Sequence, residues 1–318
     1  MTERVLLGDV GGTNARFALM TDGATGPIEH LRVSDYARFD EALAAYLARQ
    51  SDSTIRSALF AVAGVVAGER CPLTNNSWIV DGPELRARFG FTDVRLINDF
   101  EAVAWSLPHL SDKDLRKVGG GEPVANSPML ALGPGTGLGI AAYVPHAGGG
   151  LVLHSEGGHA TLPGGSPRED AIIALLRERF GHVSAERVLS GPGLQNLYRT
   201  IAALEGLTVP ELRASEISRA ALAGSSTTCR AALDIFCAVL GDVAGNFALG
   251  FGAQGGVFLG GGIVPHMRDY LPGSQFRARF DAKGRMSAYV QAIPAYLILH
   301  DDPAFIGLRA LAAQCEAS

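Results

Sequence analysis

The residues best suited to chemistry begin at Asp9, a carboxylate followed by Val10, two glycines and Thr13 between two short apolar runs. This pattern predicts a strand, a turn and a second strand over residues 5–19. Glycines let backbone N–H groups approach a ligand closely, and successive N–H groups in such a turn form a concave anion site. A carboxylate at the end of the strand then holds the cation that accompanies the anion. An ordinary glycine hairpin fits the same residues.

A second stretch with the same plan, residues 129–143, favours the anion site. It contains an apolar run, a glycine-rich turn with Thr136 and another apolar run. Two such hairpins, each opening one half of the chain, indicate a duplicated architecture that closes on one phosphate chain from two sides. Neither turn carries the Gly-Lys-Ser/Thr of a Walker loop, and neither is a GxGxxG turn that opens a helix.

Two polar residues, Asn98 and Asp99, stand between a predicted strand and a predicted helix. They follow the apolar run 94–97, and ligands of open α/β sheets bind outside the carboxyl ends of the strands. Taken alone, Asp99 fits an N-cap of the helix predicted over 100–107 better than it fits a ligand-binding acid.

Glu156 and His159 flank two glycines after the strand predicted over 150–155. They either point into one cavity or belong to a solvated loop. A metal site there would need further ligands, and the neighbouring sequence holds none.

Three other segments contain candidates, each with a plainer alternative. The loop 71–78, with Asn75, either offers amides and an aromatic ring to a sugar or is a surface connection. Glu186 lies beside a turn and by itself would be a surface acid. The glycines 260–262 follow a predicted strand, so a flat adenine lies against bare backbone there or the chain makes a flexible turn.

The composition is that of a soluble globular protein: 318 residues, 47% apolar and 19% charged, enough for two domains. The net charge of −5 argues against nucleic-acid binding. The chain opens without a basic-then-apolar leader, so a cytoplasmic location is expected. The apolar tract 235–258 is interrupted by polar residues and predicts a buried helix and a strand, not a membrane span. The four cysteines lack CxxC spacing, which predicts reduced, mostly buried thiols.

Apolar spacing and capping residues predict the main helices. A capping box at Ser166 starts a helix that Gly181 ends. The helix 231–251 carries an apolar stripe that fits a core or a subunit interface. A last helix over 302–314 is expected to pack back on the first domain. The polar, glycine-rich stretch 108–126 separates the two halves of the chain.

Six segments, in this order, resemble the bacterial hexokinase-type glucokinase family of the actin-like ATPase superfamily. They are Gly8–Asn14, Leu96–Phe100, Leu132–Gly137, Ser155–His159, Glu186–Gly191 and Leu259–Gly262. The resemblance implies an α/β, two-lobed ribonuclease H-like (actin-like ATPase) fold with duplicated βββαβα-type units and an interlobe cleft. It also implies a small α/β domain over 1–110, completed by the C-terminal helix 302–318, and a large α/β domain over 111–301.

The same resemblance implies ATP-dependent phosphorylation of D-glucose on its 6-hydroxyl, the first step of glycolysis, by a homodimer that uses Mg²⁺. Asp99 would be the general base. The sugar-binding set would be Asn75, Asn98, Asp99, Glu156, His159 and Glu186. The ATP-binding set would be Gly8, Asp9, Val10, Gly11, Gly12, Thr13, Gly133, Gly135, Thr136, Gly137, Gly260, Gly261 and Gly262. Asp9 would bear on Mg²⁺, directly or through water.

Other functions stay open at the level of sequence. A kinase for mannose, fructose or an N-acetylated amino sugar would share these motifs. A sugar-sensing protein that binds without turnover needs neither a base at Asp99 nor a metal anchor at Asp9, so both residues speak against it. Polyphosphate or ADP fits glycine turns as ATP does. The cysteine-rich zinc motif of the repressor/kinase (ROK) sugar kinases is missing.

Overall fold

The computed structural model describes residues 4–50, 55–74, 76–147 and 149–317. The strands, in chain order, are β1 (Arg4–Val10), β2 (Asn14–Thr21), β3 (Ala24–Thr25), β4 (Glu29–Arg32), β5 (Ser57–Val62), β6 (Arg70–Pro72), β7 (Ile79–Asp81), β8 (Asp93–Asn98), β9 (Leu115–Gly119), β10 (Met129–Pro134), β11 (Leu138–Val144), β12 (Leu151–Ser155), β13 (Gly256–Leu259) and β14 (Ala295–Ile298). The helices are α1 (Phe39–Leu47), α2 (Gly82–Phe89), α3 (Asp99–Ser106), α4 (Pro167–Phe180), α5 (Gly191–Leu204), α6 (Ala214–Leu222), α7 (Thr227–Phe251), α8 (Phe276–Asp281), α9 (Ser287–Ala292) and α10 (Pro303–Ala317).

The chain divides into two compact units. The first consists of the described residues of Met1–Ser111, Ala147–His154 and His300–Ser318. The second consists of Asp112–His146 and Ser155–Leu299. Each unit has its own hydrophobic core around a mixed sheet.

In the first unit the strands lie in the order β3, β2, β1, β5, β8, and β4 pairs with β2. β1 and β2 form the antiparallel hairpin predicted over 5–19, whereas β1, β5 and β8 run parallel. In the register of the parallel strands, Val10 lies beside Val62, and Val62 lies beside Asn98. The first glycine bend and Asn98 therefore lie at the same edge of this sheet.

Aromatic rings fill the core between this sheet and α1. Phe17, Phe39 and Phe60 are at most 1% exposed and contact one another at centroid distances of 5.4 to 6.4 Å. Tilted and edge-to-face ring pairs of this kind contribute about 0.5–1.5 kcal/mol beyond the burial of their area. The rings hold α1 against the strands that lead to the first bend.

The last helix completes the first unit. α10 packs along α3 and buries Phe305 and Leu308. At the crossing, a Cβ on Gly307 would lie 1.8 Å from the carbonyl oxygen of Ala102. Only a glycine permits this close approach, so Gly307 fixes how α10 lies on the helix that begins at Asp99.

The sheet of the second unit repeats the beginning of the first. Its strands lie in the order β11, β10, β13, β14, β9. β10 pairs antiparallel with β11 around the second glycine bend and parallel with β13, as β1 does with β2 and β5. The second predicted hairpin is confirmed.

Two strands of this sheet, β9 and β14, were not predicted. Residues 115–119, inside the stretch expected to be a connection, form β9, which pairs antiparallel with β14. Its alternation is hidden because Arg116 and Lys117 are adjacent charged residues, and the strand is stabilised by its partner β14 more than by its own pattern. The pairing contains a register shift at Ala295 and Tyr296.

α7 is the apolar helix predicted over 231–251, and it begins four residues earlier, at Thr227. The Ser226 hydroxyl accepts a hydrogen bond from Cys229 N at 3.2 Å and caps the helix. Among the described residues, α7 is long and apolar enough to cross a bilayer, and 67% of its most apolar window is buried. That burial is typical of a core helix, and α5, α6 and α8 pack against it.

The predicted beginning of α4 at Ser166 and its end at Gly181 are confirmed, but the predicted capping box is only half formed, because Glu169 bonds to Gly165 N and not to Ser166 N. The Ser166 hydroxyl accepts a hydrogen bond from Glu169 N at 3.3 Å, and the helix ends at Gly181. The Glu169 side chain accepts from Gly165 N and pairs with Arg279, so it ties the start of α4 to α8.

Candidate active site

The first glycine bend is a hairpin turn whose backbone lines a concave surface. Gly11 N donates to Asn14 O at 2.9 Å, which closes the turn. Gly12 and Thr13, together with Arg32 of β4, line a cavity of about 590 Å³. Backbone amides and a guanidinium on one concave surface suit an anionic ligand.

Three of the predicted ATP-binding residues, Gly8, Asp9 and Val10, lie in β1, and Gly8 and Val10 offer no polar side chain to a ligand. Val10 is fully buried in the core of the first unit. A Cβ on Gly8 would lie 2.5 Å from Cδ1 of Phe60, so close packing of the ring explains this glycine. A ligand would reach these two residues only through their backbone.

Asp9 lies opposite Arg16 across the β1–β2 hairpin. Arg16 Nη1 donates to Asp9 Oδ2 at 2.6 Å. Burial raises the pKa of the Asp9 carboxyl, and the charge and hydrogen bond of Arg16 offset only part of this. Mg²⁺ binds one or two carboxylates together with substrate phosphates and water. The Asp9 carboxylate, two residues before the concave turn, fits that requirement.

Asn98 is the N-cap of α3, and Asp99 is its first helical residue. The Asn98 Oδ1 atom accepts hydrogen bonds from Phe100 N at 2.9 Å and from Glu101 N at 3.4 Å. Its Nδ2 atom donates to Gly64 O at 3.3 Å. The capping role considered for Asp99 thus belongs to its neighbour, and the Asp99 carboxylate stands at a helix N-terminus, where negative charge is favoured.

The turns at this edge of the first sheet are joined by hydrogen bonds. Ala63 N, just after β5, donates to Val10 O at 2.9 Å. Neighbouring strands lie about 4.8 Å apart, so the end of β8 lies roughly 10 Å from the end of β1. The structure therefore brings the bend after Asp9 and the pair Asn98–Asp99 together at one edge.

The loop between β6 and β7 reaches the first bend. Asn75, the predicted sugar-binding residue of this loop, lies outside the described residues. Its neighbour Asn76 donates from Nδ2 to Gly12 O at 3.3 Å and accepts from Trp78 N at 2.8 Å. Trp78 is buried and donates from Nε1 to Tyr36 O. The aromatic ring of the loop is thus part of the core.

In the second unit, the second bend and the glycines 260–262 form one surface. Gly260 N donates to Leu132 O at 3.0 Å, and Ile263 N donates to Pro134 O at 3.3 Å. Gly261 has a φ of +81°, and a Cβ there would lie 2.5 Å from Pro134 O. The close contact between the two segments therefore requires a glycine at this position.

A cavity of about 670 Å³ opens beside the glycine segment 260–262. Its walls come from α6 and from the residues that follow β13; they are Ala214, Ser215, Ser218, Arg219, Leu222, Ala223, Gly262, Ile263 and His266. The lining combines apolar side chains with a few polar groups, which is the composition of a small-molecule site.

Glu186 is bound to the second bend. Its Oε2 atom accepts a hydrogen bond from Leu138 N at 2.9 Å. A Cβ on Gly137 would lie 2.5 Å from the same oxygen, so the carboxylate occupies the space beside the bend. Gly191 N donates to Gly135 O at 2.8 Å, which holds the start of α5 against the turn.

Glu156 and His159 lie at the two ends of the 3-10 turn Gly157–His159. Their side chains are more than half exposed, and His159 Nε2 is 3.8 Å from Glu156 Oε2. Ala185 N donates to Ala160 O at 3.0 Å, so this turn and the turn that carries Glu186 are adjacent. The structure thus brings all three residues into one region of the second unit.

Three features of these regions were missed at the level of sequence. Arg16 could have been found, because the hairpin pairing that puts Val10 opposite Ala15 also puts Asp9 opposite Arg16. Asn76 follows Asn75 directly, and nothing in the loop distinguishes the two amides. The wall formed by α6 had no local signal, because a helix far along the chain comes to lie beside Gly262 only through tertiary packing.

Comparison with known proteins identifies the family. A protein-family model described as Glucokinase matches residues 6–315. The glucokinase of Paramagnetospirillum magneticum is 47% identical over 315 residues, which are 98% of each chain. A glucokinase structure from an Antarctic psychrotroph has a TM-score of 0.86 at 37% identity and covers 97% of this chain and 98% of its own. A ROK family glucokinase from Streptomyces griseus, solved with glucose and AMPPNP, shares the fold, with a TM-score of 0.64 at 17% identity and coverage of 99% and 100%.

The two-unit α/β fold with its glycine bends is that of a sugar kinase. Within that class the chain belongs to the glucokinase family, as its six motifs predicted.

Proposed function

We propose that this protein transfers the terminal phosphoryl group of ATP to the 6-hydroxyl of D-glucose and so catalyses the first step of glycolysis. The observation that carries the proposal is the register of the first sheet. Val10, Val62 and Asn98 end three parallel strands side by side. Asp9 and the first glycine bend therefore lie at the same edge of the sheet as Asp99. Phosphoryl transfer needs this pairing of a phosphate site with a group that accepts the hydroxyl proton.

Asp99 is proposed as the general base. A sugar hydroxyl is weakly acidic, and a carboxylate within hydrogen-bond reach removes its proton as the new P–O bond forms. Asn98 caps α3 and bonds to Gly64 O, so the helix that carries Asp99 has a fixed beginning. α10 packs closely along α3 and so also fixes the position of the helix that carries Asp99.

Glucose is proposed to contact Asn75, Asn98, Asp99, Glu156, His159 and Glu186. Carboxylates, an amide and an imidazole pair sugar hydroxyls with good geometry, and a sugar that lacks one hydroxyl leaves a polar group unpaired. The adjacent turns that carry Glu156, His159 and Glu186 support a common role for these three side chains.

ATP is proposed to lie on the glycine segments. Its phosphates would contact Gly8 to Thr13, and Gly133, Gly135, Thr136 and Gly137. Adenosine would lie against Gly260, Gly261 and Gly262, in the cavity walled by α6, whose volume of about 670 Å³ suits a nucleoside. Asp9 would hold Mg²⁺, directly or through water; when bound, Mg²⁺ neutralises charge on the phosphate oxygens.

The finer features of the fold are proposed with this function. Both sheets contain an antiparallel hairpin whose first strand pairs parallel with a later one, which supports a duplicated ribonuclease H-like (actin-like ATPase) architecture of βββαβα-type units. We propose a small domain over 1–110, completed by the helix 302–318, and a large domain over 111–301. The family resemblance further supports a cytoplasmic homodimer.

The test is a coupled assay with ATP, Mg²⁺ and a panel of hexoses. Glucose is expected to give the highest kcat/KM, and product analysis is expected to find the phosphate on oxygen 6. Higher kcat/KM with mannose, fructose or an N-acetylated amino sugar would replace the proposed substrate. Sugar binding without turnover would replace the proposed reaction.

A further inference from the structure

Arg16 stands between two carboxylates of the first unit. Its Nη1 atom donates to Asp9 Oδ2 at 2.6 Å, and its Nε atom is 3.4 Å from Asp302 Oδ1. The three side chains are 14% to 31% exposed, so their charges act on one another with little screening by water. One cation is therefore shared by two acids.

The two contacts of Arg16 differ. The bond to Asp9 is short and well formed, whereas Nε is buried and makes no hydrogen bond to the residues that the structure describes. Asp302 Oδ1 lies 3.4 Å from this buried nitrogen, at ion-pair distance but without the geometry of a hydrogen bond. A small shift of the guanidinium would complete the second bond and loosen the first.

Asp302 directly precedes α10, the helix that packs along α3. Its backbone oxygen accepts from Phe305 N at 3.2 Å, so its main chain belongs to the beginning of the helix. Its carboxylate is directed to Arg16, on the strand that leaves the first bend. The residue thus connects the last helix of the chain to the acid of the first bend.

We propose that Asp302 is a positioning residue that acts on Asp9 through Arg16. By attracting part of the arginine charge, Asp302 leaves Asp9 available to the cation that accompanies the phosphates. Without Asp302, the guanidinium pairs with Asp9 alone and competes with that cation. The proposal rests on the proposed role of Asp9 toward Mg²⁺. Partners of a metal-binding carboxylate typically change metal affinity about 10- to 100-fold when they are replaced.

The test is Asp302→Asn, because asparagine caps a helix about as well as aspartate and so removes the charge alone. The binding of AMPPNP is measured by calorimetry across a series of Mg²⁺ concentrations, without glucose. We expect the Mg²⁺ concentration for half-maximal enhancement of binding to rise about tenfold, whereas the Kd of metal-free AMPPNP changes little. Arg16→Lys, which keeps one charge but loses the planar fork, should shift the same Mg²⁺ titration.

The control is Glu69→Gln, which removes an exposed carboxylate paired with Arg86 in the same unit and should leave the titration unchanged. An Asp302→Asn titration that coincides with that of the unsubstituted protein, with or without a lower Tm, would overturn the proposal. AMPPNP binding that does not respond to Mg²⁺ in the unsubstituted protein would overturn it too. Failure of that protein to phosphorylate glucose would instead overturn the proposed function, since nucleotide binding is measured without sugar.

Discussion

The Glu186 carboxylate accepts a hydrogen bond from the backbone N–H of Leu138, at the point where the second glycine bend enters β11. A residue expected to bind sugar is therefore attached to a turn expected to bind phosphate. The Glu186 side chain can therefore affect the binding of both glucose and ATP, and two substitutions distinguish these two effects.

Glu186→Gln keeps an oxygen that accepts from Leu138 N, whereas Glu186→Ala removes it. We expect the glutamine variant to raise the glucose KM about 5- to 150-fold, the cost of leaving a sugar hydroxyl poorly paired, with a near-normal ATP KM. The alanine variant should also raise the ATP KM, about fivefold, because the bend loses a hydrogen bond. Equal ATP KM values in both variants would separate Glu186 from the bend.

Asp99→Asn should fold and bind glucose but lose turnover. The loss of proton removal is expected to lower kcat about 10²- to 10⁴-fold, because the amide is not a base. Steady-state kinetics give kcat, and calorimetry gives the glucose Kd. Asp93→Asn, an exposed change at the other end of β8, is the matched control and should leave both unchanged. A near-normal kcat in Asp99→Asn would remove Asp99 from the role of base.

His159→Ala and Glu156→Gln test the second sugar-binding turn. Because these side chains lie 3.8 Å apart on the turn next to Glu186, either change should raise the glucose KM far more than the ATP KM. His182→Ala removes an exposed imidazole that contacts Thr161 at 3.0 Å and serves as the control. Equal effects on both substrates would place the turn outside the sugar site.

Arg279→Met should destabilise the second unit. Arg279 donates to Glu169 at 2.7 and 2.9 Å and also pairs with Asp242, and all three side chains are mostly buried. Removing one partner of a buried ion pair costs about 3–5 kcal/mol, which urea denaturation would detect. Arg285→Met, at an exposed arginine, should cost far less. Equal losses in the two variants would contradict a stabilising role for the buried pairing.

Arg279 should also determine how the free energy of unfolding falls at acidic pH. Burial raises the pKa of the Glu169 carboxyl, but the hydrogen bonds and charge of Arg279 hold it below its usual value of 4.5. A depressed pKa contributes stability above 4.5 that is lost as the pH falls through the folded-state value. In Arg279→Met the Glu169 pKa should rise, so the variant should lose less stability than the original protein on acidification. Parallel curves of unfolding free energy against pH would contradict this.

Gly307→Ala tests the contact between α10 and α3. An added Cβ would lie 1.8 Å from Ala102 O, so one helix must shift, at a cost of about 1–3 kcal/mol or more. Gly250→Ala in α7 is the matched control, because a Cβ there meets no atom within 4 Å. The control should be stabilised by about 0.5–1 kcal/mol, since alanine favours helix more than glycine does. A loss of stability in Gly250→Ala equal to that in Gly307→Ala would contradict the packing argument.

Local patterns predicted the local parts of the candidate site. The hairpin after Asp9 and the strand before Asn98 have short apolar runs that end in polar or glycine residues, and both were found at the predicted places. The cap of α4 at Ser166 was readable because a capping residue and its partner are three positions apart. β9 was not predicted because its partner β14 lies at the other end of the second unit's sequence.

Local sequence patterns could not predict contacts between segments that lie far apart in the sequence. Asn76 touches the first bend across 64 residues, and Glu186 touches the second bend across 48. Periodicity carries information over a few turns of chain only, so it assigns such residues to loops or surfaces. Family resemblance named Glu186 but gave no reason for its link to Leu138, which comes from packing.

The placement of α10 has a consequence for biosynthesis. Most of the first unit precedes the second unit in the sequence, yet α10, the helix that covers α3, follows it. The residues of the second unit, 112–146 and 155–299, are all synthesised before it. Until α10 is synthesised, the apolar side of α3 that α10 covers stays exposed. During that interval a chaperone or a non-native contact can bind this surface.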